Sequence, residues 1–176
     1  MVFTLTPNED MKKLFTIGYE GASLDDFVNT LLAAKIDVLL DIREIPVSRR
    51  RGFSKTALGQ TLETSGIAYR HERQLGSPKA IRHRLRNDGD YGRFFRDFER
   101  YLNKQGGLLE SLAAELKGNV ALMCYEKQHT DCHRRSVAEA LSELLDKTPV
   151  HIGVENHARK ASEAASSYPR QDLSAA

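Results

Sequence analysis

The stretch KLFTIGYEGASLDDFVNTLLAAKIDVLLDI, residues 13–42, decides the fold. Lys13 to Ile17 is a short apolar run closed by Gly18, as a strand would be. Ser23 with Asp26 three residues on is a capping box, and it opens a helix through about Lys35 whose buried stripe is expected at Phe27, Val28, Leu31, Leu32 and Ala34. Asp37 to Ile42 is apolar after its first residue until Asp41, the pattern of a strand covered on both faces. Strand, helix, strand in that order is a βαβ unit with a right-handed crossover.

The same alternation continues outward. Pro46 and Gly52 punctuate a loop, Ser54 caps a helix through Ser65, and Gly66 ends it. Ile67 to Arg70 reads as a third strand, Pro78 as the first turn of a helix, and Tyr91 to Lys104 as a helix with Phe94, Phe95, Phe98, Tyr101 and Leu102 on one side. Gly106-Gly107 is expected to break it before periodicity resumes over Leu108 to Leu116. A strand at Val120 to Tyr125, a helix at Cys132 to Asp146 and a strand at Val150 to Val154 complete the order. This predicts a three-layer α/β sandwich, Rossmann-like, with a largely parallel sheet and helices on both faces. Residues 1–154 are expected to form one domain, and 155–176, rich in Ala, Ser and charge, a poorly ordered tail.

Composition narrows the function classes. No run approaches the roughly 18 apolar residues a membrane helix needs, so no membrane partner is expected. The opening MVFTLTPNEDMK has neither the basic start nor the apolar stretch of a secretory signal, and two cysteines do not make a disulfide framework; both features point to the cytoplasm. Net charge is only +2, yet Arg43 to Arg86 holds eleven Lys or Arg against three Glu. That block is either a solvated helical face or the footprint of an anionic partner, a small molecule or a nucleic acid. No motif specifies a cofactor or an oligomeric state, and both are unknown from the sequence.

In a parallel sheet the strand ends gather polar groups around one crevice. Asp41 and Arg43 share a strand face and form either an ion pair or a ligand clamp. Tyr19 and Glu20, between Gly18 and Gly21, make a tight turn open to a ligand, but the third glycine of a dinucleotide fingerprint is missing. His71, at another strand end, is a proton carrier or a hydrogen-bonded structural residue. On the helix expected from Cys132, the buried stripe through Val137 and Leu141 carries His133 and Arg134 one turn earlier. Arg134 therefore pairs with Asp41 or Glu126, or binds an anion at the helix start. Cys132, at that start beside basic neighbours, either packs or has a lowered thiol pKa suited to nucleophilic attack. Cys124, which shares a strand face with Val120, Leu122 and Glu126, reads as a core thiol. Its place before a loop and a helix resembles that in rhodaneses and protein tyrosine phosphatases, without the glycines or closing arginine of their loops. The C-x4-H-x2-C-H spacing of Cys124, His129, Cys132 and His133 matches no common zinc pattern, so no metal is assigned.

Taken together, Thr16-Ile-Gly-Tyr-Glu-Gly-Ala-Ser, Leu40-Asp-Ile-Arg-Glu-Ile-Pro-Val-Ser-Arg-Arg, Arg51-Gly-Phe-Ser-Lys, Gly66-Ile-Ala-Tyr-Arg-His, Leu75-Gly, Cys124-Tyr-Glu and Cys132-His-Arg-Arg resemble the uncharacterised family called domain of unknown function 488. The resemblance spans roughly Leu14 to Ile152. It implies motif positions at Tyr19, Asp41, Arg43, Pro46, Ser48, Arg49, Glu126, Cys132, His133 and Arg134, and no activity. The leading expectation is an anionic ligand, a nucleotide or nucleic-acid component, bound over the strand ends by Tyr19, Asp41, Arg43, Ser48, Arg49 and Arg134. Glu126, Cys132 and His133 are the candidate catalytic groups. The alternatives are a non-catalytic nucleic-acid module built on residues 43–86 and a rhodanese-like sulfur carrier using Cys124 or Cys132. Cys132 is expected to alkylate faster than Cys124.

Overall fold

The computed structural model describes residues 8–156. Strand β1, Met11–Gly18, leads through helix α1, Leu24–Ala33, into β2, Val38–Asp41; helix α2, Lys55–Thr64, then leads into β3, Ala68–His71. Three helices follow, α3 at Lys79–Asp88, α4 at Tyr91–Leu102 and α5 at Gly106–Glu115. The chain closes with β4, Gly118–Cys124, α6, Arg134–Leu145, and β5, Val150–Ile152. Every strand pair is parallel, in the order β3-β2-β4-β1-β5. The winding runs outward from β1 to β3 and then returns to insert β4 between β2 and β1. That reversal is the switch point at which parallel α/β sheets open a crevice beyond their carboxyl ends.

Alternation along the strands builds two cores. Leu14, Leu40, Val120 and Leu122 point to one face, where Phe98 of α4, Leu112 of α5 and Val137 and Leu141 of α6 cover them. Phe15, Ile17, Leu39, Ala121 and Met123 point to the other, under Phe27 and Leu31 of α1 and Leu58 and Leu62 of α2. Helices lie on both faces, as the βαβ reading of residues 13–42 requires. Ser23 caps α1 by accepting from the Asp26 amide at 3.1 Å.

Local differences from the expected elements have simple causes. Leu32 is exposed, because α1 turns Phe27, Val28 and Leu31 onto the sheet, with Ala34 partly buried beside them, and leaves Leu32 on the outer side. Gly106-Gly107 does not end a helix. A 3-10 turn over Asn103–Gln105 separates α4 from α5, and the glycines occupy the first turn of α5, where leading amides lack intrahelical partners in any case. Helix α6 begins at Arg134, not Cys132: a 3-10 turn at His129–Asp131 leaves Cys132 extended. The tail expected from residue 155 lies outside the described residues apart from Glu155 and Asn156. No described helix is long and apolar enough to cross a membrane.

Gly18 ends β1 opposite Cys124 of β4. A Cβ there would overlap the carbonyl oxygen of Glu126 and crowd the Arg134 guanidinium. Gly18→Ala is therefore expected to destabilise the protein by about 3 kcal/mol, the upper range for overpacking, in urea unfolding. Ala at Gly107, where added bulk meets open space, should cost little.

Candidate functional site

On the α1 and α2 face, the site begins with a buried charge. Asp41 at the end of β2 has no exposed surface, and Arg43 two residues on is 6% exposed. The guanidinium grips the carboxylate with two hydrogen bonds, Nε to Oδ1 at 2.8 Å and an Nη to Oδ2 at 2.5 Å. Its other terminal nitrogen donates to the Tyr19 hydroxyl and to the Phe53 carbonyl, both at 2.9 Å. Tyr69 donates to the same carboxylate at 2.6 Å. Burial alone would push the Arg43 pKa down, but Asp41 and Tyr19 outweigh it and hold the charge firmly on. Burial and Asp41 together push the Tyr69 hydroxyl up, so it stays a donor. Of the two sequence readings, the structure forms the ion pair. His71 bonds the Arg43 carbonyl at 2.8 Å through Nε2.

On the opposite, α6 face, the end of β4 meets the start of α6. Cys124 Sγ donates to Glu126 Oε2 at 3.1 Å and lies 3.8 Å from Nδ1 of the buried His133. Cys132 Sγ approaches the same Nδ1 at 4.0 Å. His133 Nε2 lies 3.1 Å from the Ile42 carbonyl; a carbonyl only accepts, so Nε2 carries a proton, and Cys124 Sγ sits almost equally far from it, at 3.9 Å, as from Nδ1. Phe98 packs edge-on against the imidazole at 5.2 Å. Burial lowers the His133 pKa, but Cys132 and Glu126 outweigh it and raise it overall. Burial likewise works against the Glu126 carboxylate, yet hydrogen bonding from Cys132 and the His133 charge hold its pKa below the usual value. Cys132 moves the other way from expectation: burial first, then Cys124, push its thiol well up. The Arg134 amide at the start of α6 donates to that sulfur at 3.5 Å, but burial outweighs it, and the expected thiolate activation is absent.

Arg134 pairs with neither Asp41 nor Glu126 side chains. It is 1% exposed, and its two terminal nitrogens donate to the backbone carbonyls of Glu126 and of Lys127, the latter at 2.9 Å. It holds the loop after β4 in place. His129, proposed by spacing alongside the two cysteines, instead stacks on His151 at 3.6 Å; Glu126 takes its place in the cluster.

Between these two groups, a cleft of about 690 Å³ opens at the carboxyl edge. Of the sequence-derived site residues it exposes Tyr19, Arg43, Ser48, Arg49, Glu126 and His133. Asp41, Cys132 and Arg134 lie behind its wall, so the expectation that Tyr19, Asp41, Arg43, Glu126 and Arg134 line one pocket holds for three of the five. Cys124, read as a core thiol, is buried but also borders the cleft. The loop carrying Ser48 and Arg49 is pinned by Ser54, whose Oγ accepts from the Ser48 amide, and by Arg50, which donates to the Ala22 carbonyl. Sequence reasoning missed Arg82 and Arg86 as cleft residues, and with them Tyr91, Phe94 and Tyr125. Their i, i+4 spacing put the two arginines on one face of a helix. Only the packing of α3 against the edge shows that this face meets the crevice.

The fold and its edge define a parallel α/β protein with a cleft at its switch point. The chain belongs to the family described as domain of unknown function DUF488, whose model matches residues 23–141. Asp41, Arg43, Ser48, Arg49, Glu126, Cys132, His133 and Arg134 fall inside that span, and Tyr19 precedes it. No curated protein and no solved structure matches the chain.

Two outcomes follow for this site. Arg43→Ala, which strands a buried carboxylate, is expected to lower stability by about 3–5 kcal/mol in chemical denaturation, with Arg43→Lys recovering only part because the fork is lost. In peptide-resolved iodoacetamide labelling of native protein, Cys124 at the cleft should react before Cys132, the reverse of the sequence expectation. Faster labelling of Cys132 would place that thiol in the cleft.

Proposed function

We propose that the cleft binds an anionic small molecule, a nucleotide or nucleic-acid component, at the carboxyl edge of the sheet. The observation that carries this reading is Arg49 and Arg86 at the rim of one cleft, neither making an ion pair with another described residue. Arg82 stands beside them, tied to Glu44 at 2.6 Å. Tyr91 and Tyr125, both exposed, offer ring faces on which a base can stack. Guanidiniums that lack a protein carboxylate are the ones able to fork a phosphate. Arg43 is not among them, since its donors already serve Asp41, Tyr19 and Phe53, and in this reading it shapes the wall. A ligand reaching the floor meets Cys124, Glu126 and His133, groups that accept and donate protons.

A nucleic-acid module tracking phosphates along residues 43–86 has weaker support. Arg43, Arg70, Arg82 and Arg84 of that block are paired with Asp41, Glu72, Glu44 and Asp97, and Arg50 is bonded to a backbone carbonyl. A sulfur carrier would use Cys124, the thiol at the cleft, although the Lys127 amide of the following loop already serves Glu20.

Calorimetric titration with nucleoside mono- and diphosphates, set beside single-stranded oligonucleotides, tests the proposal. Arg49→Ala and Arg86→Ala should each weaken nucleotide binding about tenfold or more, the worth of a charge-assisted hydrogen bond, without changing the melting temperature. A shallow dependence on salt is expected. Tight oligonucleotide binding with a steep salt slope, and none for nucleotides, would overturn the small-molecule reading in favour of phosphate tracking.

A further inference from the structure

Four side chains with metal-binding atoms converge where β4 ends and α6 begins. Sγ of Cys124, a carboxylate oxygen of Glu126, Sγ of Cys132 and a ring nitrogen of His133 all lie within 4.8 Å of one another. We propose that Cys124, Glu126, Cys132 and His133 bind a divalent zinc-class cation, a site the C-x4-H-x2-C-H spacing does not disclose because its oxygen ligand is Glu126 and not His129.

Three observations support the assignment. The first is geometric. Zinc binds sulfur at about 2.3 Å, imidazole nitrogen at about 2.0–2.1 Å and carboxylate oxygen at about 2.0–2.2 Å, so the edges of a tetrahedral site are about 3.3–3.8 Å. Three of the six edges, 3.1 Å from Cys124 to Glu126, 3.8 Å from Cys124 to His133 and 4.0 Å from Cys132 to His133, need adjustments of only a few tenths of an ångström, and the other three lie within 4.8 Å, so closing on a cation draws Cys132 and Glu126 inward by up to about 1 Å. The second is orientation. His133 donates Nε2–H to the Ile42 carbonyl, the outer hydrogen bond that metal-bound imidazoles commonly make, and this leaves Nδ1, 3.8 Å from Cys124 Sγ and 4.0 Å from Cys132 Sγ, as the unprotonated ring nitrogen. Arg134 adds a second support by clamping the Glu126 and Lys127 carbonyls, which fixes the loop that carries the carboxylate.

The third observation is chemical. Two thiols and one imidazole, all less than a tenth exposed, crowd around a carboxylate where the strand pattern would otherwise continue the apolar core of Val120 and Leu122. Buried groups of this kind are paired or hold a metal. Two thiolates with an imidazole select zinc or cobalt over magnesium and calcium, which take oxygen ligands. Binding releases the two thiol protons to solvent and forms two metal–sulfur bonds, with no change of oxidation state. Glu126 is the one ligand with substantial exposure, so it faces the cleft side of the site. These are the same side chains that form the cleft floor; when a cation is bound, Glu126 and His133 are ligands and no longer proton carriers, so the metal-bound protein does not use the proton-moving floor described above. The inference does not depend on anion binding in the cleft.

Chelator-treated, reduced full-length protein is titrated with cobalt and then zinc. The expected result is one cobalt per chain, with a thiolate-to-cobalt charge-transfer band and the intense ligand-field bands of tetrahedral cobalt, both abolished by stoichiometric zinc. X-ray absorption of the zinc form should show two sulfur and two nitrogen or oxygen neighbours. Cys132→Ser and Cys124→Ser should weaken zinc by more than the ~10–100-fold that loss of an outer partner costs, and His129→Ala should leave the cobalt spectrum unchanged. Because either buried cysteine variant risks misfolding, the wild-type absorption spectrum decides alone. Weak octahedral cobalt bands without charge transfer, a shell of oxygen and nitrogen only, or two thiols that remain fully titratable in excess zinc would each overturn the site. Loss of nucleotide binding in Arg49→Ala with an intact cobalt spectrum would leave it standing.

Discussion

A carboxylate with no exposed surface is the constraint to which the carboxyl edge of this sheet is built. Ionised Asp41 at the end of β2 is tolerable only if its oxygens are satisfied, and the partners come from four segments: Arg43 beyond its own strand, Tyr69 of β3, and, through Arg43, Tyr19 after β1 and the Phe53 carbonyl before α2. One buried charge thus ties together pieces far apart in sequence. Such a pair adds little net stability over an apolar replacement, but breaking it leaves an uncompensated charge. Its effect is positional. With Tyr19 stacked on Phe53 at 4.4 Å, the wall of the cleft on the α1 and α2 face has little freedom to move.

The other face of the edge repeats the arrangement with different acceptors. Arg134 spends its fork on two backbone carbonyls that the turn after β4 leaves without helical or strand partners, and Gly18 makes room for the approach. Two buried guanidiniums therefore shape the crevice while the rim arginines stay available. Arg43, whose three guanidinium nitrogens all bond protein acceptors, is a poor ligand site, however close to the crevice it sits. Arg49 and Arg86, carried by a pinned loop and by a helix face, are for that reason the anion ligands of the proposed reading.

This distinction marks what was legible in the sequence. Periodicity exposes which residues sit at strand ends, because an apolar run must stop where the sheet stops, so the crevice and most of its neighbourhood were readable from Gly18, Asp41 and Cys124. Which charged groups pair with each other was not. Asp41 and Arg43 on one strand face fit an ion pair or a clamp equally well, and only the positions of Tyr19, Tyr69 and Phe53 decide between them. The start of α6 was misplaced because Cys132 and His133 continue the helical spacing of Val137 and Leu141, while the 3-10 turn at His129–Asp131 holds Cys132 in an extended conformation. Cys132 still accepts from the first amide of α6, yet its burial reverses the chemistry expected of the thiol, from activated at a helix start to suppressed.

The same shift explains why a polar cluster can exist in the core at all. Extended backbone at Cys132 lets its sulfur turn back toward Cys124 instead of following the helix surface, and it puts His133 at the helix cap, within reach of the Ile42 carbonyl. A sulfur, a second sulfur and a ring nitrogen then share one small volume that apolar side chains fill one turn deeper, at Leu122 and Val137. Packing alone would favour extending that apolar fill to the edge, since isolated buried ionisable groups are costly. A doubly charged cation accepting all four ligands removes that cost in one step, which makes the cluster's composition and its position at the cleft floor parts of a single arrangement.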